Sequence, residues 1–280
     1  MINANLNNKV CVITGAGGIL CSEFAYAVGK CGAKVALLDL NLDAAQKAAD
    51  KINAGDGTAI AVECNVLVRS SLTAAKKAIN DTFGKIDILI NGAGGNNPKG
   101  STQKDTYEPG DIDDESVKSF FDLDPEGIRF VFDLNFLGTL LPTQVFAEDM
   151  ARSNEGIILN VSSMNAFCPL TRIPAYSGAK AAVSNFTQWL AVHFAKSGIR
   201  VNAIAPGFFL TSQNKSLLTN EDGSYTERSH KILNMTPVGR FGVPEDLLGT
   251  LLYLIDNEQS AFVTGVVIPI DGGFSAYSGV

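Results

Sequence analysis

A tyrosine and a lysine four positions apart could act together in proton transfer. Tyr176 and Lys180 stand at the start of a helix predicted over Pro174–Lys196, and side chains at positions i and i+4 share one helix face. A lysine ammonium beside a phenol favours the phenolate, which can take a proton from an alcohol and return it to a ketone. Ser163 lies thirteen residues before Tyr176, at the end of a predicted strand, and could hydrogen-bond the reacting oxygen.

A glycine-rich turn after the first predicted strand could hold a dinucleotide. Gly15, Gly17 and Gly18 separate that strand from a helix that starts near Ile19. Glycines let the backbone approach a pyrophosphate, and the helix N-terminus offers free N–H groups and the positive end of its dipole. The position at which a third glycine usually permits tight helix–strand packing is Cys21, so the motif departs from the usual pattern there.

An acidic residue at the end of the second predicted strand bears on the choice of dinucleotide. Asp39 follows Gly15 by 24 residues, and no Arg or Lys follows it in Leu40-Asn41-Leu42. A carboxylate at this place accepts hydrogen bonds from the adenosine ribose hydroxyls and repels a 2′-phosphate. We therefore expect NAD as the cofactor rather than NADP, with hydride transfer at an alcohol carbon as the chemistry.

This chemistry predicts a low pKa for Tyr176. Free tyrosine has a pKa of about 10, too high for a good base near neutral pH. The Lys180 ammonium and the positive charge of an oxidised nicotinamide should both lower it. A shift of about 3 pKa units needs about 4 kcal/mol of differential interaction, which two close cations can supply.

Short apolar segments alternate with helical patterns along the whole chain. Most of the strands are apolar on both faces, which is typical of a parallel sheet covered by helices. The pattern predicts an α/β fold, a single Rossmann-type doubly wound parallel sheet of about seven strands, in one domain over residues 1–280. The predicted strands are Val10–Thr14, Lys34–Asp39, Thr58–Cys64, Ile86–Asn91, Gly156–Ser162, Arg200–Ala205 and Val266–Ile270. The predicted helices include Leu42–Asn53, Ser70–Phe83 and Ile128–Arg152.

Two polar segments interrupt this alternation. They cover residues 95–126, after the fourth strand, and residues 212–236, after the sixth. Ligands bind outside the carboxyl ends of the strands in open α/β sheets, and long loops in compact domains often bind them. We therefore expect both segments to be substrate loops.

Taken in order, these motifs resemble those of the short-chain dehydrogenase/reductase family over nearly the whole chain. The matching residues are Thr14-Gly15, Asp39, Asn91-Gly92-Ala93-Gly94, Asn135, Ser163, Tyr176 with Lys180, Pro206-Gly207 and Thr211. The resemblance implies catalytic roles for Asn135, Ser163, Tyr176 and Lys180, with Asn135 supporting a water that links Lys180 to solvent. It also implies a homotetramer built through the helices that contain Asn135 and Tyr176.

The resemblance places the dinucleotide along the carboxyl ends of the strands. The predicted cofactor-binding residues are Gly15, Gly17, Gly18, Ile19, Asp39, Asn65, Val66, Asn91, Ala93, Gly94, Tyr176, Lys180, Pro206, Gly207, Phe209 and Thr211. Asn65 stands where the family more often has Asp. Either side chain can accept a hydrogen bond from the adenine amine.

Two segments predict the substrate class. The stretches Gly94–Gly100 and Ser163–Pro174 resemble the branch of D-mannonate oxidoreductases, also called fructuronate reductases. A sugar acid needs amides, hydroxyls and at least one cation around it. The candidate substrate residues are therefore Asn96, Lys99, Asn165 and Arg172, with Arg228 or His230 as other places for the carboxylate.

Three alternatives stay open from the sequence. The substrate could be another sugar acid of the gluconate type, or a neutral polyol. A non-catalytic dinucleotide sensor is a more distant alternative, because such proteins usually lack the Tyr-x-x-x-Lys pair. The polar loops argue against a steroid or fatty-acyl pocket.

Composition excludes several other classes. The 280 residues carry a net charge of −7, which argues against nucleic acid as a partner. No apolar run reaches the about 18 residues of a membrane span, and the first residues lack an apolar signal core, so we expect a cytoplasmic protein. Five cysteines without a CxxC pair and two distant histidines predict free thiols and no metal site.

Overall fold

Seven parallel strands form one sheet in the order β3-β2-β1-β4-β5-β6-β7. The structure, a computed structural model, describes residues 4–211 and 215–279. The strands are β1 Val10–Thr14, β2 Lys34–Asp39, β3 Thr58–Glu63, β4 Ile88–Asn91, β5 Gly156–Val161, β6 Ile199–Pro206 and β7 Val267–Ile270. This sheet confirms the predicted fold class, and its strand bounds differ from the predicted ones by at most two residues.

Helices cover both faces of the sheet. The helices are α1 Ile19–Lys30, α2 Leu42–Asn53, α3 Arg69–Phe83, α4 Pro125–Phe132, α5 Gly138–Ser153, α6 Pro174–Phe194, α7 Lys215–Leu218, α8 Glu227–Asn234, α9 Glu245–Ile255 and α10 Asn257–Ser260. The order of strands reverses beside β1, between β1 and β4. In open α/β sheets, ligands bind at such a switch point, outside the carboxyl ends of the strands.

Alternate residues of each strand supply the two halves of the core. In β1, Ile13 packs with α1, α2 and α9 on one face, whereas Val12 packs with α3, α5 and α6 on the other. Both side chains are fully buried, as the period of two in a strand requires. Burial on both faces explains why the strands read as continuous apolar runs.

The helix predicted over Ile128–Arg152 is interrupted in the structure. It begins at Pro125, capped by the Asp124 side chain, and its turn Asp133–Leu137 is a π-helix between α4 and α5. Such turns occur mostly as single bulges, frequently at functional sites. The combined helix 125–153 is the one described helix long and apolar enough to cross a membrane, but half of its most apolar stretch is buried inside this domain.

The two polar segments are held by their own contacts. In the first, Lys118 donates from Nζ to the carbonyls of Pro98 and Lys99 at 2.9 and 2.7 Å, and Ser119 forms a capping box with Asp122. The second contains α7 and α8, with Thr226 capping α8. Residues 212–214 of that segment lie outside the described residues.

Cys21 fits the first helix because Gly92 leaves space for it. A Cβ added at Gly92 would lie 2.2 Å from the Cys21 Sγ and 2.9 Å from the Thr14 carbonyl oxygen. Helix α1 therefore packs against the end of β4 with the larger side chain on the helix and the glycine on the strand. Cys21, which replaces the usual glycine of the motif, is therefore accommodated by Gly92 at the end of the strand that packs against α1.

We expect Gly92→Ala to destabilise the protein by about 1–3 kcal/mol through overpacking. In a Cys21→Ala background the same change should cost at least about 1 kcal/mol less, because the thiol no longer occupies the space. Urea unfolding of the wild type, both single variants and the double variant measures this coupling. Additive costs would show that Cys21 and Gly92 do not share the space.

Candidate active site

The structure brings Ser163 and Tyr176 into contact. Ser163 follows β5 in extended conformation, and the Asn165 N–H donates to its hydroxyl at 3.3 Å. Tyr176 lies in the first turn of α6, which starts at Pro174 because proline suits the first position of a helix. The Ser163 hydroxyl lies close enough to the Tyr176 phenol to lower the pKa of Tyr176. A strand end and a helix start thus place both hydroxyls together.

Lys180 lies one turn further along α6 and is almost completely buried, with 4% of its surface exposed. Its Nζ donates to the Val161 carbonyl at 2.8 Å and lies 5.7 Å from the centre of the Tyr176 ring. Burial lowers the pKa of Lys180 to about 8, opposed in part by Cys21. The active-site cation is therefore present only at a considerable desolvation cost.

The pKa of Tyr176 departs from the sequence-based expectation. Burial raises the pKa of Tyr176 above its ordinary value, and the Ser163 hydrogen bond lowers it only in part. The prediction that Lys180 lowers this pKa is wrong for the protein alone, because burial of the phenol outweighs the groups that lower its pKa and the lysine is itself desolvated. The remaining contribution expected from the sequence is the positive charge of an oxidised nicotinamide.

Asn135 lies at the centre of the π-helical turn and is fully buried. Its amide donates to the carbonyls of Gly95 and Val131 at 2.7 and 2.8 Å, and its Oδ1 accepts from the Gly95 N–H at 3.2 Å. The π-helical turn places this side chain so that it can pair with both backbone groups of Gly95. Asn135 thereby fixes the start of the first polar segment.

Gly94 is the point at which Asn135 and Lys180 approach each other. A Cβ there would lie 2.7 Å from the Asn135 Oδ1 and 3.1 Å from the Lys180 Nζ. No larger residue fits without moving one of them. The sequence predicted that small residues after β4 leave room for a cofactor, and the structure adds that Gly94 also leaves room for two catalytic candidates.

The turn after β1 has the shape of a phosphate-binding cradle. Gly15 has a φ of 66°, a left-handed conformation that favours glycine, and a Cβ there would lie 2.8 Å from the Ala93 Cα. Gly18 is the residue that caps the start of α1, which Ile19 opens. The Thr14 hydroxyl accepts from the N–H groups of both Gly92 and Ala93 at 3.1 and 3.2 Å, which ties the ends of β1 and β4 together.

Asp39 orders this turn as well as facing a ribose position. One carboxylate oxygen accepts from the Gly17 N–H at 2.9 Å, and the other accepts from the Asn41 N–H at 2.8 Å. A Cβ at Gly17 would lie 3.1 Å from the same carboxylate. The glycine cradle and the acidic strand end are therefore one unit, and they fit a dinucleotide without a 2′-phosphate.

Two predicted cofactor-binding residues have side chains that contact other parts of the protein. Asn91 is buried and donates to Thr143 and Asn160 at 3.0 and 2.9 Å. The Phe209 ring is buried in the core and would be 2.6 Å from a Cβ added at Gly242. Both side chains therefore have contacts inside the protein, and the cofactor contacts of these two residues stay predictions.

The rest of the predicted cofactor set lies at the carboxyl edge of the sheet. Asn65 accepts from the Leu67 N–H at 3.0 Å, so part of its acceptor capacity shapes the loop that also holds the buried Val66. At the end of β6, Pro206 leads to Gly207, where a Cβ would lie 2.6 Å from the Asp271 Cα. Ala93, Gly94 and Thr211 complete the set along the ends of β4 and β6.

The candidate substrate residues have unequal positions. Arg172 has a φ of 68° and donates from Nε to Asp105 at 2.5 Å, so its charge is already paired. Lys99 is 70% exposed and lies 3.7 Å from Asp124. Asn96 donates to Ser101 at 3.2 Å. Arg172 and Lys99 thus each have a carboxylate partner in the protein, and their contacts with a substrate stay predictions.

Asn165 is buried, and its side-chain oxygen has no partner among the described residues. Because that oxygen is sealed from solvent, a substrate could reach it only after a rearrangement. The direct contribution of Asn165 to the site is its backbone hydrogen bond to Ser163. It is better described as a positioning residue.

A cavity of about 410 Å³ lies beside these residues and was not foreseen from the sequence. It extends from Ile173, three residues before Tyr176, to α8 and the C-terminal segment. Its apolar wall includes Phe208, Met235 and Phe274, and its charged lining consists of Asp105, Arg172, Glu227, Arg228 and Lys231. Sequence spacing carried no signal for Asp105, because its partner is 67 residues away.

Residues 9–222 match the family model for short chain dehydrogenases. The chain belongs to the short-chain dehydrogenase family. Uncharacterized oxidoreductases from Haemophilus influenzae and Bacillus subtilis, the second named UxuB, are 58% and 52% identical. The alignments cover 99% and 100% of this chain and 97% and 99% of those proteins.

A solved structure is also similar to this chain over almost its whole length. A protein from Haemophilus influenzae, provisionally named a D-mannonate oxidoreductase and crystallised with NAD, is similar with a TM-score of 0.94 at 58% identity, over 99% of both chains. These findings confirm the predicted family and the predicted class of enzyme. This short-chain dehydrogenase is an oxidoreductase, and the glycine cradle described above fits the nicotinamide dinucleotide that the family uses.

The buried lysine makes a prediction about stability. The folded pKa of Lys180 is about 8 and its ordinary value is 10.5, so between these pH values the unfolded chain binds more protons. The free energy of unfolding should therefore rise with pH, and fall as pH drops through 8. Relative to Lys180→Met, the wild type should gain about 2 kcal/mol between pH 7.5 and 9.5.

Urea unfolding of both proteins without added nucleotide, at steps of half a pH unit, measures this difference. Ionisations other than that of Lys180 largely cancel between the two proteins. Parallel curves across the range would show that Lys180 keeps an ordinary pKa in the fold.

Proposed function

We propose that this short-chain dehydrogenase interconverts D-mannonate and D-fructuronate with NAD. The observation that carries the proposal is a cavity lined by three cations, in a protein of net charge −7, that reaches Ile173 at the start of the helix carrying Tyr176. A local excess of positive charge in an acidic protein favours a small anionic substrate. The resemblance of the Gly94–Gly100 and Ser163–Pro174 segments selects the sugar acid.

In the proposed mechanism, Tyr176 moves the proton. The nicotinamide ring, when bound, gives or takes the hydride. In the reducing direction the Tyr176 hydroxyl donates its proton to the substrate oxygen, and in the oxidising direction the phenolate takes it back. The raised pKa of Tyr176 keeps the hydroxyl protonated in the protein alone, which suits the reducing direction.

The neighbours of Tyr176 orient the substrate and the cofactor. Ser163 hydrogen-bonds the substrate oxygen and holds it in line with the Tyr176 hydroxyl. Lys180 holds the nicotinamide ribose, since among the described residues its Nζ donates to one acceptor, the Val161 carbonyl, and an ammonium has three N–H groups. The positive charge of an oxidised nicotinamide favours the phenolate. Asn135 fixes Gly95 and keeps its Oδ1 close to the space beside Gly94, where a water could connect Lys180 to solvent.

Three alternatives make different predictions. Another sugar acid of the gluconate type would use the same cationic cavity. A neutral polyol would form no ion pair with the cations of the cavity, so it would gain less binding free energy than a sugar acid. A dinucleotide sensor would bind NAD without turnover, and the assembled Ser163–Tyr176 pair argues for turnover.

The assembly proposal is a homotetramer in the cytoplasm. Helices α5 and α6 share an outer groove lined by apolar side chains such as Phe136, Phe186 and Trp189, and Trp189 is 56% exposed. Helix α6 carries Tyr176 and Lys180, and the turn with Asn135 leads directly into α5. Five free thiols suit a reducing compartment. Sedimentation equilibrium that gave the mass of a monomer would contradict this assembly.

Replacing Asp39 should change cofactor preference. In Asp39→Ala combined with Leu40→Arg, the repulsion of a 2′-phosphate is removed and a phosphate partner is supplied. We expect the ratio of kcat/KM for NAD over NADP to fall at least about tenfold, which corresponds to about 1.4 kcal/mol. Because Asp39 also holds Gly17, the Asp39→Asn variant serves as a control that retains much of that contact. An unchanged ratio would show that another residue reads the ribose.

The substrate assignment is tested by paired assays with NADH. We expect kcat/KM for D-fructuronate to exceed that for D-fructose at least about a hundredfold, because only the uronate pairs the cavity charge. Tyr176→Phe is the control: it should lose activity by several orders of magnitude and still bind NADH. Equal values for the two sugars would end the uronate proposal. A different sugar acid reduced faster than fructuronate would redirect it.

A further inference from the structure

We propose that Arg228 is the residue that binds the substrate carboxylate, an inference that rests on the proposed sugar-acid function. The sequence favoured Arg172 and Lys99 for this role. The structure pairs both of them with carboxylates. Arg228 lies in the first turn of α8 and lines the same cavity as Arg172.

The charges of the cavity sum to one unpaired cation. Arg172 is bonded to Asp105, and Lys231 is bonded to Glu227 at 3.1 Å. Within residues 4–211 and 215–279, Arg228 is the one charged side chain of the lining without an ion-pair partner. Binding of one substrate carboxylate would therefore make the net charge of this cavity zero.

One face of α8 is built to present Arg228 to the cavity. Arg228, Lys231, Ile232 and Met235 are spaced three, four and seven apart and all line it, as residues on one helix face do. The neighbouring Ser229 is buried and donates to the Leu218 carbonyl at 2.5 Å, which anchors the first turn of α8. The guanidinium thus extends from a fixed backbone.

The length of the substrate sets how far its carboxylate lies from the reacting carbon. In D-mannonate four carbon–carbon bonds separate the carboxyl carbon from the carbon oxidised to the ketone, so an extended chain spans about 5 Å. The carboxylate must then lie several ångströms beyond the Tyr176 hydroxyl. The cavity lining includes both Ile173, three residues before Tyr176, and Arg228.

Arginine also suits the geometry of the ligand. A planar guanidinium can donate two parallel hydrogen bonds to one carboxylate, whereas an ammonium acts as a point charge. The Asp105–Arg172 pair joins the first polar segment to the loop before α6. Arg172 therefore forms part of the cavity wall, and Arg228 binds the substrate carboxylate.

The experiment measures binding as well as turnover. Titration calorimetry with the NADH complex of Tyr176→Phe would give Kd values for D-mannonate and for neutral D-mannitol. Adding Arg228→Ala should weaken mannonate binding about 10- to 100-fold, the usual loss for a charged hydrogen-bond pair, and change mannitol binding less than about twofold. Arg228→Lys should recover part of the loss. Lys231→Ala, which removes a cation from the same helix face, should change the mannonate Kd less than about threefold.

Turnover by the proteins with Tyr176 intact separates this proposal from the proposed function. Arg228→Ala should lower kcat/KM for D-fructuronate and leave that for D-fructose unchanged. Equal losses for Arg228→Ala and Lys231→Ala, or none for Arg228→Ala, would overturn the Arg228 proposal while the uronate function stands. If the wild type prefers another sugar acid, such as 5-ketogluconate, the same variants are assayed with it. If it prefers neutral sugars to every acid, both proposals fail.

Discussion

A lysine ammonium held almost out of water is the constraint around which this active site is organised. Burial, opposed in part by Cys21, brings the pKa of Lys180 down to about 8, and the buried ammonium needs nearby groups that accept its hydrogen bonds. The Val161 carbonyl at 2.8 Å is one such group. The missing Cβ at Gly94 and the neighbouring Asn135 oxygen define the remaining space. A cofactor ribose and a water would complete the coordination of the ammonium.

A buried chain of hydrogen bonds supports this site from below. Asn91 joins Thr143 of α5 to Asn160 of β5, and Asn160 in turn donates to Thr187 of α6 at 2.9 Å. Thr139 and Thr143 continue the chain up α5 to the Asn135 carbonyl through bonds of 2.9 and 2.8 Å. Buried polar groups are costly unless paired, so this network fixes the relative positions of the helices that carry Asn135 and Lys180. The Asn91 side chain thus serves the active site by positioning it.

The sequence predicted the parts of the site that depend on local spacing. Tyr176 and Lys180 lie four apart on one helix, and Ser163 ends a strand, so their convergence at the carboxyl edge followed from the alternation of strands and helices. Asp39 was predicted in the same way, from its position at the end of the second strand. The π-helical turn at Asn135 was not, because a run of apolar residues does not distinguish an α-helical from a π-helical turn.

Long-range pairing was beyond what spacing could predict. From the sequence, Cys21 was a departure from the glycine motif. The structure places it against Gly92, which is distant in sequence. Arg172 read as a free cation for the same reason, since Asp105 lies in the first polar segment. In both cases the residue was correctly singled out, and its partner decided its role.

The same reasoning explains how an acidic protein can select an acidic substrate. Over distances beyond about 8–10 Å, charges at the surface are largely screened at physiological salt, so the net charge of −7 acts weakly inside a cavity. The local field there depends on which cations retain an unpaired charge. Asp105 and Glu227 each neutralise one cation of the lining, which limits the attraction for small inorganic anions and polyanions. Discrimination then depends on whether one planar carboxylate and several hydroxyls can occupy the space between Arg228 and Tyr176 together, a requirement of shape as well as charge.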